Sequence, residues 1–272
     1  MEQQDNQPVE PKPSGGAPDG RAGTSFDEIF AKIGASSTLK KIWQGVYADD
    51  YPEDASPFSF VTSTELRLIA EALGVGAGQR FADVACGQGG PGLWVARETG
   101  ASLIGVDSSR SAVGCAAASA RRRGMEGRTT FVLSDAAATG LPDASLDGAM
   151  STDALQLMPD PSAVIKEVAR VVKPGAVFAY TTWLSLKPVK GVAYVPDYRP
   201  LLAEAGFAVE LYREPVDWER RERAVFARIR DSADSLKAEV GEAVAAMLLK
   251  EAALMPDIFP SVRRINVVAR KD

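Results

Sequence analysis

An α/β fold with a doubly wound, mostly parallel sheet follows from two observations. From residue 80 onward, short apolar runs alternate with helical stretches, the pattern of right-handed β-α-β crossovers that cover a sheet on both faces. Between the first run and the first helix lies a cluster of glycines, Gly87, Gly89, Gly90 and Gly92, as a tight strand-to-helix turn requires. The runs fall at residues 80–85, 102–107, 130–134, 146–151, 176–183, 207–212 and 264–270.

Taken in order, residues 1–24 are rich in Pro, Gly, Gln and Asp and bury too little apolar surface to offset chain entropy, so a disordered tail is expected. A helical lid is expected over residues 25–75. In it Leu39, Ile42, Trp43 and Val46 recur at helical spacing, and a second helix runs from about Ser63 to Leu73 with Glu65 in its first turn. Residues 76–272 form the main domain. Helices are expected at 91–99, 109–123 and 161–172; Asp160 caps the last, Pro161 opens it and Lys173-Pro174-Gly175 stops it. After Trp183 the pattern changes to a short helix closing at Gly206, a strand, and a helical insertion at about 216–254, read as two stretches (216–232 and 235–254), before the final strand.

Composition narrows the function. The chain has 272 residues, 46% hydrophobic and 25% charged, with a net charge of −5, which suits a globular protein and disfavours nucleic acid as a partner. The run Arg121-Arg122-Arg123 before Gly124 reads as a helix end, where cations favour the macrodipole. No apolar stretch approaches the roughly 18 residues of a membrane span, and the first residues carry no signal-peptide pattern, so the expectation is a cytoplasmic protein without membrane contact, a monomer or homodimer. Two cysteines, Cys86 and Cys115, make neither a disulfide framework nor a metal cluster, and no metal is expected. Histidine is absent altogether, which removes imidazole bases, Ser-His triads and His-ligated metals.

The segment Phe81-Ala-Asp-Val-Ala-Cys-Gly-Gln-Gly-Gly-Pro-Gly ends a strand, turns on glycines and starts a helix whose amide N–H groups can bind an anionic ligand group. Gly87-x-Gly89-x-x-Gly92, with Asp107 twenty residues beyond Gly87, also satisfies the dinucleotide fingerprint, so NAD is a rival ligand. Three features argue for another cofactor. Asp83 precedes the glycines, where a carboxylate repels a pyrophosphate but attracts an ammonium group. A third strand ends in Leu133-Ser134-Asp135-Ala136, and a block Asp147-Gly-Ala-Met-Ser-Thr-Asp-Ala-Leu-Gln-Leu-Met-Pro-Asp-Pro follows.

Together these segments resemble the class I S-adenosylmethionine-dependent methyltransferases, in their bacterial small-molecule (natural-product) branch, over roughly residues 39–270. The resemblance implies a Rossmann-like domain with a seven-stranded sheet, its last strand antiparallel, and S-adenosylmethionine as cofactor. It implies that Asp83, Ala85, Gly87 and Gly89 cradle the methionine part, that Asp107 with Ser108 takes the ribose, that Asp135 and Ala136 take the adenine, and that Ser151 meets the amino-acid end. Ala85 stands where the family usually has glycine. Leu157 and Asp153 stand where relatives carry histidine and glutamate.

The expected reaction is methyl transfer to an O, N or C atom of a small organic metabolite, an in-line displacement that depends on alignment and exclusion of water. Asp153, just past the fourth strand, is the first candidate for a base or substrate-orienting group. Tyr47, Tyr51, Phe58, Phe60 and Trp183 are candidates for an aromatic box around a sulfonium or amine, Tyr47 and Trp183 near the chemistry and the others, with Leu157, against substrate. Without histidine, an aspartate or no base serves. A methyltransferase-like enzyme that holds the cofactor while catalysing a cyclisation, decarboxylation or rearrangement is the alternative, and an NAD-dependent oxidoreductase the remote one.

Overall fold

A computed structural model describes residues 32–53 and 59–272; the tail expected over residues 1–24 and the candidate Phe58 lie outside the described residues. Seven strands, β1 (Arg80–Val84), β2 (Ser102–Asp107), β3 (Thr129–Leu133), β4 (Leu146–Thr152), β5 (Val172–Ser185), β6 (Phe207–Arg213) and β7 (Val262–Lys271), form one sheet in the order β3-β2-β1-β4-β5-β7-β6. Pairing is parallel from β3 to β5, and β7 runs antiparallel between β5 and β6. The strand order reverses at β1 and β4, where the crevice at the carboxyl ends of the strands is the usual ligand position of open α/β sheets.

Side-chain alternation along the strands gives the sheet two apolar faces. On one, Phe81, Met150, Val177, Ala179 and Val268 pack under α2 (Ser63–Leu73) and α3 (Gly90–Thr99). On the other, Ala82, Ala149, Phe178, Tyr180, Ile265 and Val267 pack with α5 (Pro161–Val171) and α6 (Arg199–Glu204). Helix α4 (Arg110–Arg122) follows β2. As its sequence predicts, α5 starts from Asp160, whose carboxylate accepts the Ala163 N–H at 3.1 Å, with Pro161 in the first turn.

Two boundaries depart from the sequence reading. The stretch expected as one helix at 235–254 breaks at Gly241, whose φ of +83° interrupts the helical path, giving α8 (Ala233–Val240) and α9 (Glu242–Ile258) after α7 (Trp218–Asp231). And β5 begins at Val172, before Lys173-Pro174-Gly175 rather than after it. Val172 already pairs with Leu146, and a register irregularity between Leu146 and Gly148 accommodates the proline.

Helices α7–α9 lie between β6 and β7 in sequence and pack on α1 (Ser37–Tyr47), forming a third apolar cluster from Leu39, Ile42, Trp43, Val225, Phe226, Leu248 and their neighbours. Polar contacts fasten the same junction. Ser36 caps α1 through the Leu39 N–H, and the Glu239 carboxylate of α8 accepts from Ser36 Oγ (2.5 Å), Ser37 Oγ (2.6 Å) and the Thr38 N–H (3.1 Å). Among the described residues no helix is long and apolar enough to cross a membrane.

Candidate active site

At the carboxyl end of β1 the backbone turns sharply. Ala85, Gly87 and Gly89 all have positive φ (58°, 51° and 79°), and the turn is closed by Gly89 N–H donating to Cys86 O at 2.8 Å and Cys86 N–H to Val106 O at 3.0 Å. Gly89 is confined from behind, since a Cβ there would lie 3.0 Å from the Ala116 methyl and 3.2 Å from Phe131. A Cβ at Gly87 would meet no atom within 4 Å, so at Gly87 the backbone borders open space, as a cradle requires.

Beneath this turn, Asp83 is completely buried, and neither carboxylate oxygen has a hydrogen-bond partner among the described residues. Burial pushes its pKa up to about 8; the charge of Asp107 adds to the rise and the Gly92 amide opposes it. A buried carboxyl without a donor is costly, and an incoming ammonium group is the donor that would remove the cost. Asp107 spans the turn: one oxygen accepts the Gly87 N–H at 2.8 Å and the other the Ser109 N–H at 2.9 Å. Each oxygen keeps a lone pair for a ribose hydroxyl. Ser108 beside it is exposed. Past β3, Asp135 accepts the Ala137 N–H at 2.8 Å and Ala136 is buried. Ser151, at the end of β4, donates to Val84 O at 2.8 Å and ties β4 to β1. The structure thus brings the residues assigned to the cofactor by resemblance onto one edge of the sheet, at the ends of β1 to β4. They fit the group: an orphaned acid for an ammonium, an open glycine turn, and an acid held by two amides for a diol.

The residues expected near the acceptor gather around a cation that the spacing did not reveal. Arg264 of β7 is buried and forms ion pairs with Glu65 of α2 (3.3 Å) and Asp153; Glu222 of α7 lies 3.7 Å away. Asp153, with φ of +54°, accepts from Ser59 Oγ (3.0 Å), the Phe60 N–H (2.8 Å), Thr181 Oγ1 (2.8 Å) and Arg264 Nη1. A carboxylate has about four lone-pair directions, and all are engaged. Asp153 is therefore a strut joining β4, β5, β7 and the segment before α2, and here it offers no free lone pair to a substrate proton.

Tyr47 and Trp183 are buried beside this cluster, and Phe60 packs between Trp43 and Phe226 at ring distances of 5.6 Å. Burial first, and the charge of Glu222 next, hold the Tyr47 hydroxyl far above its ordinary pKa. Tyr51 belongs to the same apolar cluster. Leu157 does not join them; it is 63% exposed on a short turn after β4. A cavity of about 290 Å³ opens next to Arg264, lined among others by Tyr47, Phe60, Trp218, Glu222 and Asn266. Glu222, Arg264 and Asn266 were not anticipated. One signal was present: Glu222 sits four residues after Trp218, three before Val225 and four before Phe226, a charge in the middle of an apolar helix face.

Residues 82–180 match the family model described as a methyltransferase domain. The chain is 28% identical over 209 residues to the methyltransferase GfsG of Streptomyces halstedii, covering 68% of this chain and 75% of that protein. It is 28% identical over 190 residues to the 27-O-demethylrifamycin SV methyltransferase of Amycolatopsis mediterranei, covering 63% and 70%. The alignment to a sterol 24-C-methyltransferase of Aspergillus fumigatus, 32% identical, spans only 34% of that protein. Among solved structures, the [4+2]-cyclase SpnF superposes with a TM-score of 0.69 at 23% identity, covering 88% of this chain and 94% of that one.

Proposed function

Since the chain belongs to the class I S-adenosylmethionine-dependent methyltransferases, we propose that it transfers the sulfonium methyl of that cofactor to a hydroxyl oxygen of a small organic metabolite. The observation that carries the reading is the orphaned, buried carboxyl of Asp83 under an open glycine turn. A dinucleotide pyrophosphate brings no hydrogen-bond donor to that carboxyl and opposes its ionisation, whereas an amino-acid ammonium supplies the missing donor and favours the carboxylate. When bound, the cofactor supplies an activated methyl group and a neutral thioether leaving group.

The rest is work for the chain's own side chains. Asp83 holds the ammonium, Gly87 and Gly89 let the main chain approach the methionine part, and Asp107 accepts the ribose hydroxyls. Asp135 and the Ala136 amide take the adenine edge, and the spare lone pair of Ser151 faces the amino-acid end. Tyr47, Phe60 and Trp183 form an apolar wall that aligns the acceptor and excludes water. No imidazole takes the acceptor's proton, because the chain has no histidine, and the four donors on Asp153 leave that carboxylate a positioning role. Oxygen is favoured over carbon by the 27-O-demethylrifamycin SV methyltransferase, matched over a larger share of this chain than the sterol 24-C-methyltransferase.

The test is formation of S-adenosylhomocysteine dependent on a hydroxylated acceptor, together with calorimetric binding of S-adenosylhomocysteine to wild type and to Asp107→Ala. Loss of two hydrogen bonds to a charged acceptor, at roughly 1.5–3 kcal/mol each, predicts at least tenfold weaker binding in the variant. Unchanged affinity would remove Asp107 from the site. The engaged state of Asp153 also supports a second reading, a cyclisation or rearrangement that needs bound cofactor but no base. Turnover that continues with S-adenosylhomocysteine in place of S-adenosylmethionine would select it.

A further inference from the structure

The cavity beside Arg264 has a floor of acceptors. Both oxygens of Glu222 and the Oδ1 of Asn266 are buried without a hydrogen-bond partner among the described residues. The Trp183 indole favours the charged form of Glu222 without completing a hydrogen bond to it. The walls are the rings of Tyr47, Phe60 and Trp218. The charges around the floor do not balance: Glu65, Asp153 and Glu222 share the single guanidinium of Arg264. At the rim, Asp50 pairs with Arg221 at 2.9 Å, and Arg213 and Glu214 add one further charge of each sign.

We propose that this cavity binds a small organic ammonium group, received by the Glu222 carboxylate and the Asn266 carbonyl and flanked by Tyr47, Phe60 and Trp218. Three features specify that chemistry. Unpartnered acceptors call for a donor, the surplus of carboxyls over guanidinium calls for a positive charge, and aromatic walls favour a soft, weakly hydrated cation. A metal ion suits the site less well, since no described group of His, Cys, Asp or Glu side chains is arranged to hold one. The proposal names the substrate class of the reading above and rests on it: an amine-bearing alcohol whose ammonium seats beside α7 while its hydroxyl is presented for methylation.

Binding should be linked to a proton. Glu222 is held well above its ordinary pKa, first by burial, with Asp153 from the end of β4 and Glu65 from α2 raising it and Arg264 from β7 pulling it down. Tyr47 of α1, its own hydroxyl raised by burial, faces the same group and stays neutral. Glu222 therefore holds its proton to higher pH than an ordinary glutamate does. When an ammonium group enters, that proton leaves to solvent and the carboxylate pairs with the newcomer; no bond other than the O–H is broken.

The experiment is isothermal titration of propylammonium chloride, with 1-propanol as the neutral isostere, into free and S-adenosylhomocysteine-loaded protein, in two buffers of different ionisation enthalpy. The expected result is binding of the cation with a proton release that grows as pH is lowered, and binding of the alcohol about tenfold weaker or worse. Glu222→Gln, close in shape, should weaken the cation about tenfold or more, with thermal unfolding checking that it remains folded. Equal binding of alcohol and ammonium, absence of proton release by wild type, or unchanged affinity in E222Q would each overturn the proposal. Normal S-adenosylhomocysteine binding with no response to propylammonium would overturn it while sparing the cofactor assignment. Absent S-adenosylhomocysteine binding would sink the assignment itself.

Discussion

Asp83 and Asp153 both stand at the carboxyl ends of central strands, one short of hydrogen-bond donors and the other saturated with them. For Asp83, the folded chain holds a proton up to about pH 8, whereas an unfolded aspartate releases it near 4. The raised value means that folding is favoured on the acid side and loses stability as pH rises from about 4 toward 8. If Asp83 receives the cofactor's ammonium as proposed, binding should release a proton below that upper value and tighten as pH approaches it. Calorimetry of S-adenosylhomocysteine in buffers of different ionisation enthalpy checks this, and pH-independent affinity without proton release would contradict it. For Asp153, removal strands a buried guanidinium. Asp153→Ala should cost about 3–5 kcal/mol in urea unfolding, and a loss below about 1 kcal/mol would show that Arg264 re-pairs with Glu65 and Glu222 alone. Ala85, at φ +58°, carries the strain of a left-handed non-glycine residue. Ala85→Gly is expected to raise stability by about 1 kcal/mol, measured by the same unfolding.

Elements were legible in the sequence wherever local periodicity and punctuation agree. Helix α2 carries both halves of a capping box, Thr62 and Glu65, and α5 begins at Asp160-Pro161, so both starts could be read without a partner. Of the two misreadings, one passed over a local signal, the glycine at Gly241, and in the other tertiary pairing outweighed one: Val172 enters the sheet because Leu146 is there to pair with it, despite the stop pattern that follows. The junction of α1 with α8 was equally invisible, since Glu239 lies more than two hundred residues from Ser36 and Ser37. Those hydroxyls hold the Glu239 carboxyl down to about 2. A lowered acid stabilises the docked state above its unfolded value, near 4.3, and loses that contribution as pH falls toward 2. Acidification across this window should loosen α1 from the insertion, read as a change in tryptophan fluorescence from Trp43 that Glu239→Gln shows at neutral pH already. Coincident transitions in the two proteins would disprove the linkage.

At the scale of the whole molecule, the convergence of Asp83, Asp107, Asp135 and Ser151 was readable and the Arg264 cluster was not, for one physical reason. Asp83, Asp107, Asp135 and Ser151 each stand at or just past the carboxyl end of a parallel strand, so β-α-β order alone brings them to one edge. Glu65, Asp153, Glu222 and Arg264 meet only through packing of a helix before the sheet, a helix inserted late, and an antiparallel strand; Arg264 and Glu65 are 199 residues apart. Mass action couples the cofactor edge to global stability: S-adenosylhomocysteine at a hundred times its dissociation constant should add about 2.7 kcal/mol and raise the melting temperature by about 5 °C or more. Asp107→Ala should show little of that rise at the same concentration.

The position of β7 has a consequence for synthesis. It fills the slot between β5 and β6, yet its residues, 262–271, leave the ribosome after every other strand. Until then β5 presents an unpaired edge and β6 has no strand to pair with, and the three acids that meet at Arg264 lack that counter-ion. A nascent chain can therefore assemble its cofactor turn early but must wait for these residues before sheet and acceptor region close, an interval in which open strand edges are exposed to chaperones or to a neighbouring nascent chain.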